Sequence, residues 1–194
     1  MIGVANEIEL RRKGMRAHFL MAAGLLAASW VAVAPARGQE VAKDNVDGIT
    51  NLHRLSTVVA CSGAIKPEVV PQIKQMGFVS IINLREASEQ GANIEGEGEA
   101  AKAQGLRYYS IPLNAMHPDP AAADKFIDAI TTKGVEPAFI HCAGGGRAAT
   151  MWFIKRMVVD HWDEARAEKE ATDLGMNSPT LKQFAIDYAM AHKR

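Results

Sequence analysis

The run His141-Cys142-Ala143-Gly144-Gly145-Gly146-Arg147 brings a thiol, three glycines and a guanidinium together. Each residue type suits a tetrahedral oxyanion held beside a nucleophile. Glycines relax steric limits, so successive backbone N–H groups can turn inward into an anion-binding nest. The apolar stretch Ala138 to His141 reads as a strand, and a helix is predicted from about Arg147 to Val159. The start of that helix adds partial positive charge and free N–H donors. Arg147 offers a planar fork for two oxygens. At the mouth of such a cradle Cys142 is favoured as the thiolate, and His141 is placed to organise the loop. Covalent phosphoryl transfer needs this pairing of nucleophile and oxyanion cradle. Cys142 and Arg147 are therefore the expected catalytic pair, with His141, Ala143, Gly144, Gly145 and Gly146 lining the substrate.

A leaving oxygen needs a proton. The loop Asn114-Ala115-Met116-His117-Pro118-Asp119-Pro120 follows a strand-like segment and offers Asp119 as the acid, with His117 as the fallback. Asp before Pro at a helix start reads equally well as an N-cap. Arg85, closing another strand, is expected as a second cation for substrate; pairing with Glu86, Glu89 or a backbone carbonyl is the alternative. Glu89, Glu95, Glu97 and Glu99 read as a solvated acidic surface. Cys61 reads as an inert buried thiol, with a reversible Cys61–Cys142 disulfide as the other possibility. His53, His117, His141 and His161 have no zinc-like spacing.

With those residues in view, the chain resembles the cysteine-dependent phosphatases of the dual-specificity, tyrosine-phosphatase-like superfamily. It is most similar to the bacterial branch that includes the phosphatase-like domain of beta-lactamase-hydrolase-like proteins. The resemblance covers most of residues 51 to 190. It is carried by Ser62-Gly63, Ile82-Asn83-Leu84-Arg85, Gly105-Leu106-Arg107-Tyr108 into Ile111-Pro112, and the His141-to-Ala149 loop. It implies a phosphocysteine on Cys142, phosphate held by Arg147 and the loop amides, an acid upstream of the loop, and no metal or other cofactor. Four residues separate Cys142 from Arg147 where the superfamily usually has five. Ala148 stands where a Ser or Thr commonly helps the thiolate leave. The short loop also resembles rhodanese-type sulfurtransferases, in which Cys142 would carry a persulfide, but Glu86-Ala87-Ser88-Glu89 follows Arg85 and the usual Gly-His-Ile-Pro-Gly-Ala segment is missing. An oxyanion-binding module without turnover is the third reading, supported by Ala148.

The elements that must position these residues alternate between β and α. Residues 51–61 read as a pair of short strands, 67–76 as a helix ending at Gly77, and 78–83 as a buried strand. Residues 97–104 read as a helix, 107–113 as a strand and 121–132 as a helix; two more helices follow Val159, the last starting at Ser178-Pro179. Trp152, Phe153 and Trp162 are expected in the core. Such alternation predicts a three-layer α/β domain, a central mostly parallel sheet flanked by helices, with ligands at the carboxyl ends of the strands.

The chain has 194 residues, with 22 Lys+Arg and 22 Asp+Glu. This balance gives no electrostatic reason for a nucleic-acid partner. The basic stretch 11–18 followed by the apolar run 19–34 predicts an export signal over residues 1–38, cleaved near Gly38 or after Ala36. The run is too short for a spanning helix, so membrane contact is expected only through the signal. Residues 39–194 are expected to form a single phosphatase-like domain, periplasmic or secreted, acting on a phosphorylated protein or small molecule.

Overall fold

The computed structural model describes residues 40–56 and 58–192; the expected signal and its cleavage sites lie outside them. Strand β1 (Val41–Val46) runs into β2 (Ile49–Leu55) through Asp47-Gly48, a two-residue turn of the kind that closes antiparallel hairpins. β1 is not among the strands expected from the sequence. Its interior is Ala-Lys-Asp-Asn and it forms the sheet edge, so no apolar alternation marks it. Strands β3 (Val59–Ser62), β4 (Ser80–Asn83), β5 (Arg107–Ser110) and β6 (Ala138–His141) follow. The expected strand over 107–113 ends at Ser110, two residues before Pro112, which has no N–H to give a ladder.

The sheet order is β1-β2-β3-β6-β4-β5, antiparallel across β1-β2-β3 and parallel from β3 to β5. The mostly parallel α/β fold expected from the sequence is the fold observed. Alternate residues of the central strands serve two cores. Ala60, Ile81 and Phe139 face α1 (Val70–Gln75), which follows a 3₁₀ turn at Pro67–Val69, and α2 (Ile94–Ala103). Cys61, Ile82 and Ile140 face α3 (Pro120–Thr131), α4 (Gly146–Val158), α5 (Glu164–Asp173) and α6 (Pro179–His192). Both faces being covered explains why β3, β4 and β6 are continuously buried rather than alternating.

Trp152 and Phe153 are buried, and Trp162 packs against the same core. Trp152 Nε1 donates to Glu170 Oε1 at 2.7 Å, and the Arg156 guanidinium lies over the rings of both Trp152 and Trp162. Among the described residues no helix is long and apolar enough to cross a membrane.

Candidate active site

Parallel register sets Ser62, His141 and Asn83 side by side at the carboxyl ends of β3, β6 and β4. The loops leaving these ends therefore converge, and Cys142 is the first residue beyond β6. It is 2% exposed. Gly145 is the N-cap of α4 with φ 106°, a left-handed conformation open to glycine and strained for a side chain. This bend turns Gly145 N–H back onto Cys142 Sγ at 3.1 Å. A Cβ on Gly63 would lie 2.7 Å from Ala143 O, so glycine there lets β3 press against the loop. No side chain of the N-cap residue caps α4, and the first N–H groups of a helix have no partner within it.

Arg147 reaches across three strand ends. Its Nη1 donates to Leu84 O (3.1 Å), Leu113 O (2.8 Å) and Glu89 Oε1 (2.6 Å), and Nη2 donates to Glu89 Oε2 (2.7 Å). A guanidinium has five N–H groups. Among the described residues those oxygen contacts leave Nε–H and one Nη2–H, which share an edge on a side chain that also bonds the Cys142 sulfur and can act as a two-pronged fork for an oxyanion. Burial works against the Arg147 charge, but the bonds and charge of Glu89 and the adjacent Cys142 sulfur outweigh it and hold the guanidinium charged. Burial alone would raise the Glu89 carboxyl. The hydrogen bonds from Arg147 and from Glu86 N–H, with the charges of Arg147 and Arg85, bring it down to about 2.

Glu89 is thus no solvated surface residue, and neither is Glu97. Glu97 lies fully buried on α2. Its Oε2 accepts from Asn83 Nδ2 (2.7 Å) and Tyr108 OH (3.2 Å) and lies 3.0 Å from His141 Nε2. The His141 approach is a close contact without the alignment of a hydrogen bond, since neither ring nitrogen makes one among the described residues. Burial pushes the Tyr108 phenol up; the bond from Asn83 opposes this, and the Glu97 charge and hydrogen bond reinforce it. His141 is therefore seated in a buried polar cluster behind the loop. The run Glu95-Gly96-Glu97-Gly98-Glu99 hides the signal that would have found it, for Ile94, Glu97 and Ala101 fall at the i, i+3, i+7 spacing of a helix stripe.

Arg85 takes the backbone-carbonyl alternative instead of presenting a second cation to substrate. Its Nη1 donates to Gly91 O (3.0 Å) and Nη2 to Gln90 O (2.6 Å), and Nε lies 3.5 Å from Glu89 Oε2. It fixes the loop that carries Glu89. Asp119 caps α3, its Oδ1 accepting from Ala121 N–H at 2.9 Å, and is exposed. Asn114 Oδ1 accepts from Met116 and His117 N–H, and its Nδ2 reaches Glu86, tying the Asp119 loop to the Glu89 loop.

Both cysteines are free thiols. Cys61 pairs with Ile140, two residues before Cys142. Parallel-strand spacing then puts the two cysteine Cα atoms about 8 Å apart, beyond disulfide reach without backbone movement. Burial, with the charges of Cys142 and Glu170, raises the Cys61 thiol. It is an inert core residue, not a partner for Cys142.

The family described as beta-lactamase hydrolase-like protein, phosphatase-like domain, matches residues 51–159. A beta-lactamase hydrolase-like protein of Agrobacterium fabrum is 37% identical over 90 residues, covering 43% of this chain and 20% of that protein. Among solved structures, TpbA of P. aeruginosa superposes with a TM-score of 0.57 at 20% identity, covering 80% of this chain and 91% of its own. Tk-PTP in its active form gives 0.61 at 15% identity, over 77% and 100%. The core catalytic domain of the S. cerevisiae PP-IP phosphatase SIW14 gives 0.56 at 14% identity, over 75% and 87%. At these identities the structures establish the fold.

Proposed function

This chain belongs to the phosphatase-like domain family of the beta-lactamase hydrolase-like proteins, and we propose that it is a cysteine-dependent phosphatase acting through a phosphocysteine on Cys142. The observation that carries this reading is a sulfur that accepts from the Gly145 N–H and lies against the Arg147 guanidinium. Cys142 Sγ attacks phosphorus as the bond to the ester oxygen breaks, and Asp119 gives that oxygen a proton. Water then attacks phosphorus, giving a proton to the Asp119 carboxylate as the sulfur–phosphorus bond breaks, so that inorganic phosphate leaves and both the thiolate and the acid are restored. Arg147 and the amides of Ala143 to Gly146 hold the non-bridging oxygens throughout.

The substrate is a phosphomonoester on a protein or a small molecule. TpbA has been crystallised with phosphotyrosine, which supports an aryl ester within the range of this site. Arg85 is engaged by its own loop and Glu89 offsets Arg147, so the local charge suits one phosphate group better than a cluster. Residues 1–38 direct the domain to the periplasm or the exterior.

The test is hydrolysis of p-nitrophenyl phosphate with reductant and chelator present. Turnover that iodoacetamide abolishes, and that inorganic phosphate protects, is the expected result. No turnover, with thiocyanate formed from thiosulfate and cyanide, would replace this reading with sulfur transfer, which the four-residue loop favours. Asp119→Asn separates acid from cap, because Asn caps a helix as well as Asp does. The substitution is expected to leave the melting temperature unchanged and slow an alkyl phosphate about 10²-fold or more. Hydrolysis of p-nitrophenyl phosphate, whose leaving group needs little help, should fall much less. Equal rates on the alkyl ester would remove Asp119 from the mechanism.

A further inference from the structure

The loop carrying Cys142 is held from outside at three points. Cys142 N–H donates to Ser62 O at 3.1 Å and Ala64 N–H donates to Ala143 O at 2.9 Å, so strand-like pairing continues past the ends of β3 and β6. The third point is a side chain. Asn51 Nδ2 donates to Gly144 O at 3.1 Å, across 93 residues of sequence. Asn51 is an exposed residue of β2 with φ 47°, a left-handed conformation that Asn tolerates better than most residues.

In a trans peptide the C=O and the following N–H point in opposite directions. Anchoring Gly144 O outward therefore aims Gly145 N–H inward, and that N–H is the one that meets Cys142 Sγ. The peptide between Gly144 and Gly145 has no Cβ on either side, so sterics alone resist its turning over only weakly. Turned over, it would present a carbonyl oxygen to the sulfur and to any bound oxyanion.

We propose that Asn51 is a positioning residue that locks the Gly144–Gly145 peptide with its N–H toward Cys142, so that this N–H donates to the sulfur and completes the oxyanion nest. The inference rests on Cys142 being the nucleophile, but its consequence is read on the sulfur itself, without turnover. The ionisable groups facing that sulfur are Arg147 of α4 and Cys61 of β3, with Glu89 of the β4 loop behind Arg147. Asn51 adds no charge to them, so its effect acts through peptide orientation.

Two variants test this in the full chain. Asn51→Asp keeps size and left-handed tolerance but replaces the donor with an acceptor; Asn51→Gly keeps the backbone and removes the side chain. The readout is the rate of iodoacetamide addition to Cys142, followed by peptide mass, at pH 6 and pH 9. At pH 6 both variants are expected to react at least about threefold more slowly than wild type, the thiolate having lost a hydrogen bond. At pH 9 the rates should converge, with melting temperatures close together. Unchanged rates at pH 6 would overturn the proposal. An equal loss at both pH values would overturn it too, since that reports access rather than ionisation. Wild type that shows this alkylation pattern yet has no phosphatase turnover would sink the preceding reading and leave this one standing.

Discussion

Replacing Cys142 by serine is expected to lower kcat for p-nitrophenyl phosphate by about 10⁴-fold or more, with KM and melting temperature nearly unchanged. A thiol ionises readily beside a helix N-terminus and an arginine. A serine hydroxyl does not ionise in the same range and needs a base to take its proton. The groups placed against Cys142 are the Gly145 N–H and Arg147, which can donate protons but not accept them. The cradle depends on loop backbone and Arg147, which serine leaves in place, so binding survives while attack fails. Steady-state kinetics and a thermal melt on the same preparation check both halves.

Arg147→Lys is expected to cost about 10²- to 10³-fold in kcat/KM and, unlike the serine variant, to destabilise the fold by roughly 2–4 kcal/mol. An ammonium has three donors from one point. It cannot hold Leu84 O, Leu113 O and both Glu89 oxygens while also offering two parallel N–H groups to substrate. The lost stability has a pH signature. The Glu89 carboxyl is depressed to about 2, so its contribution is complete above the ordinary carboxylate value and is lost as pH falls toward 2. The melting-temperature gap between wild type and variant should stay constant from pH 8 to 5, then close in acid. A gap independent of pH down to 2 would show that the Glu89–Arg147 pair is not what the lysine removes.

The Cys142–Arg147 loop was legible because its chemistry is contiguous in sequence: strand, thiol, glycines, guanidinium and helix follow one another without interruption. The central strands and the mostly parallel sheet were legible for a similar reason, as apolar runs such as Ile81-Ile82 and Phe139-Ile140 mark themselves. What supports the loop was not. Glu89, Glu97 and Asn51 act through contacts 58, 44 and 93 residues away in sequence, and a polar residue outside a motif looks solvated until its partner is placed. Arg85 shows the converse. Its type and strand-end position suited a substrate cation, and the carbonyls of Gln90 and Gly91 that engage it have no side-chain signature. β1 escaped because edge strands need not alternate, although Asp47-Gly48 was a visible hairpin signal.

The most direct measurement is rapid acid quench of the protein with a phosphomonoester during turnover, followed by intact mass and peptide mapping. The expected result is one phosphoryl group, carried on Cys142 and missing from Cys142→Ser treated in the same way. A phosphoryl group on another residue, or turnover with Cys142 unmodified at every quench time and undiminished in Cys142→Ser, would contradict the account at its centre.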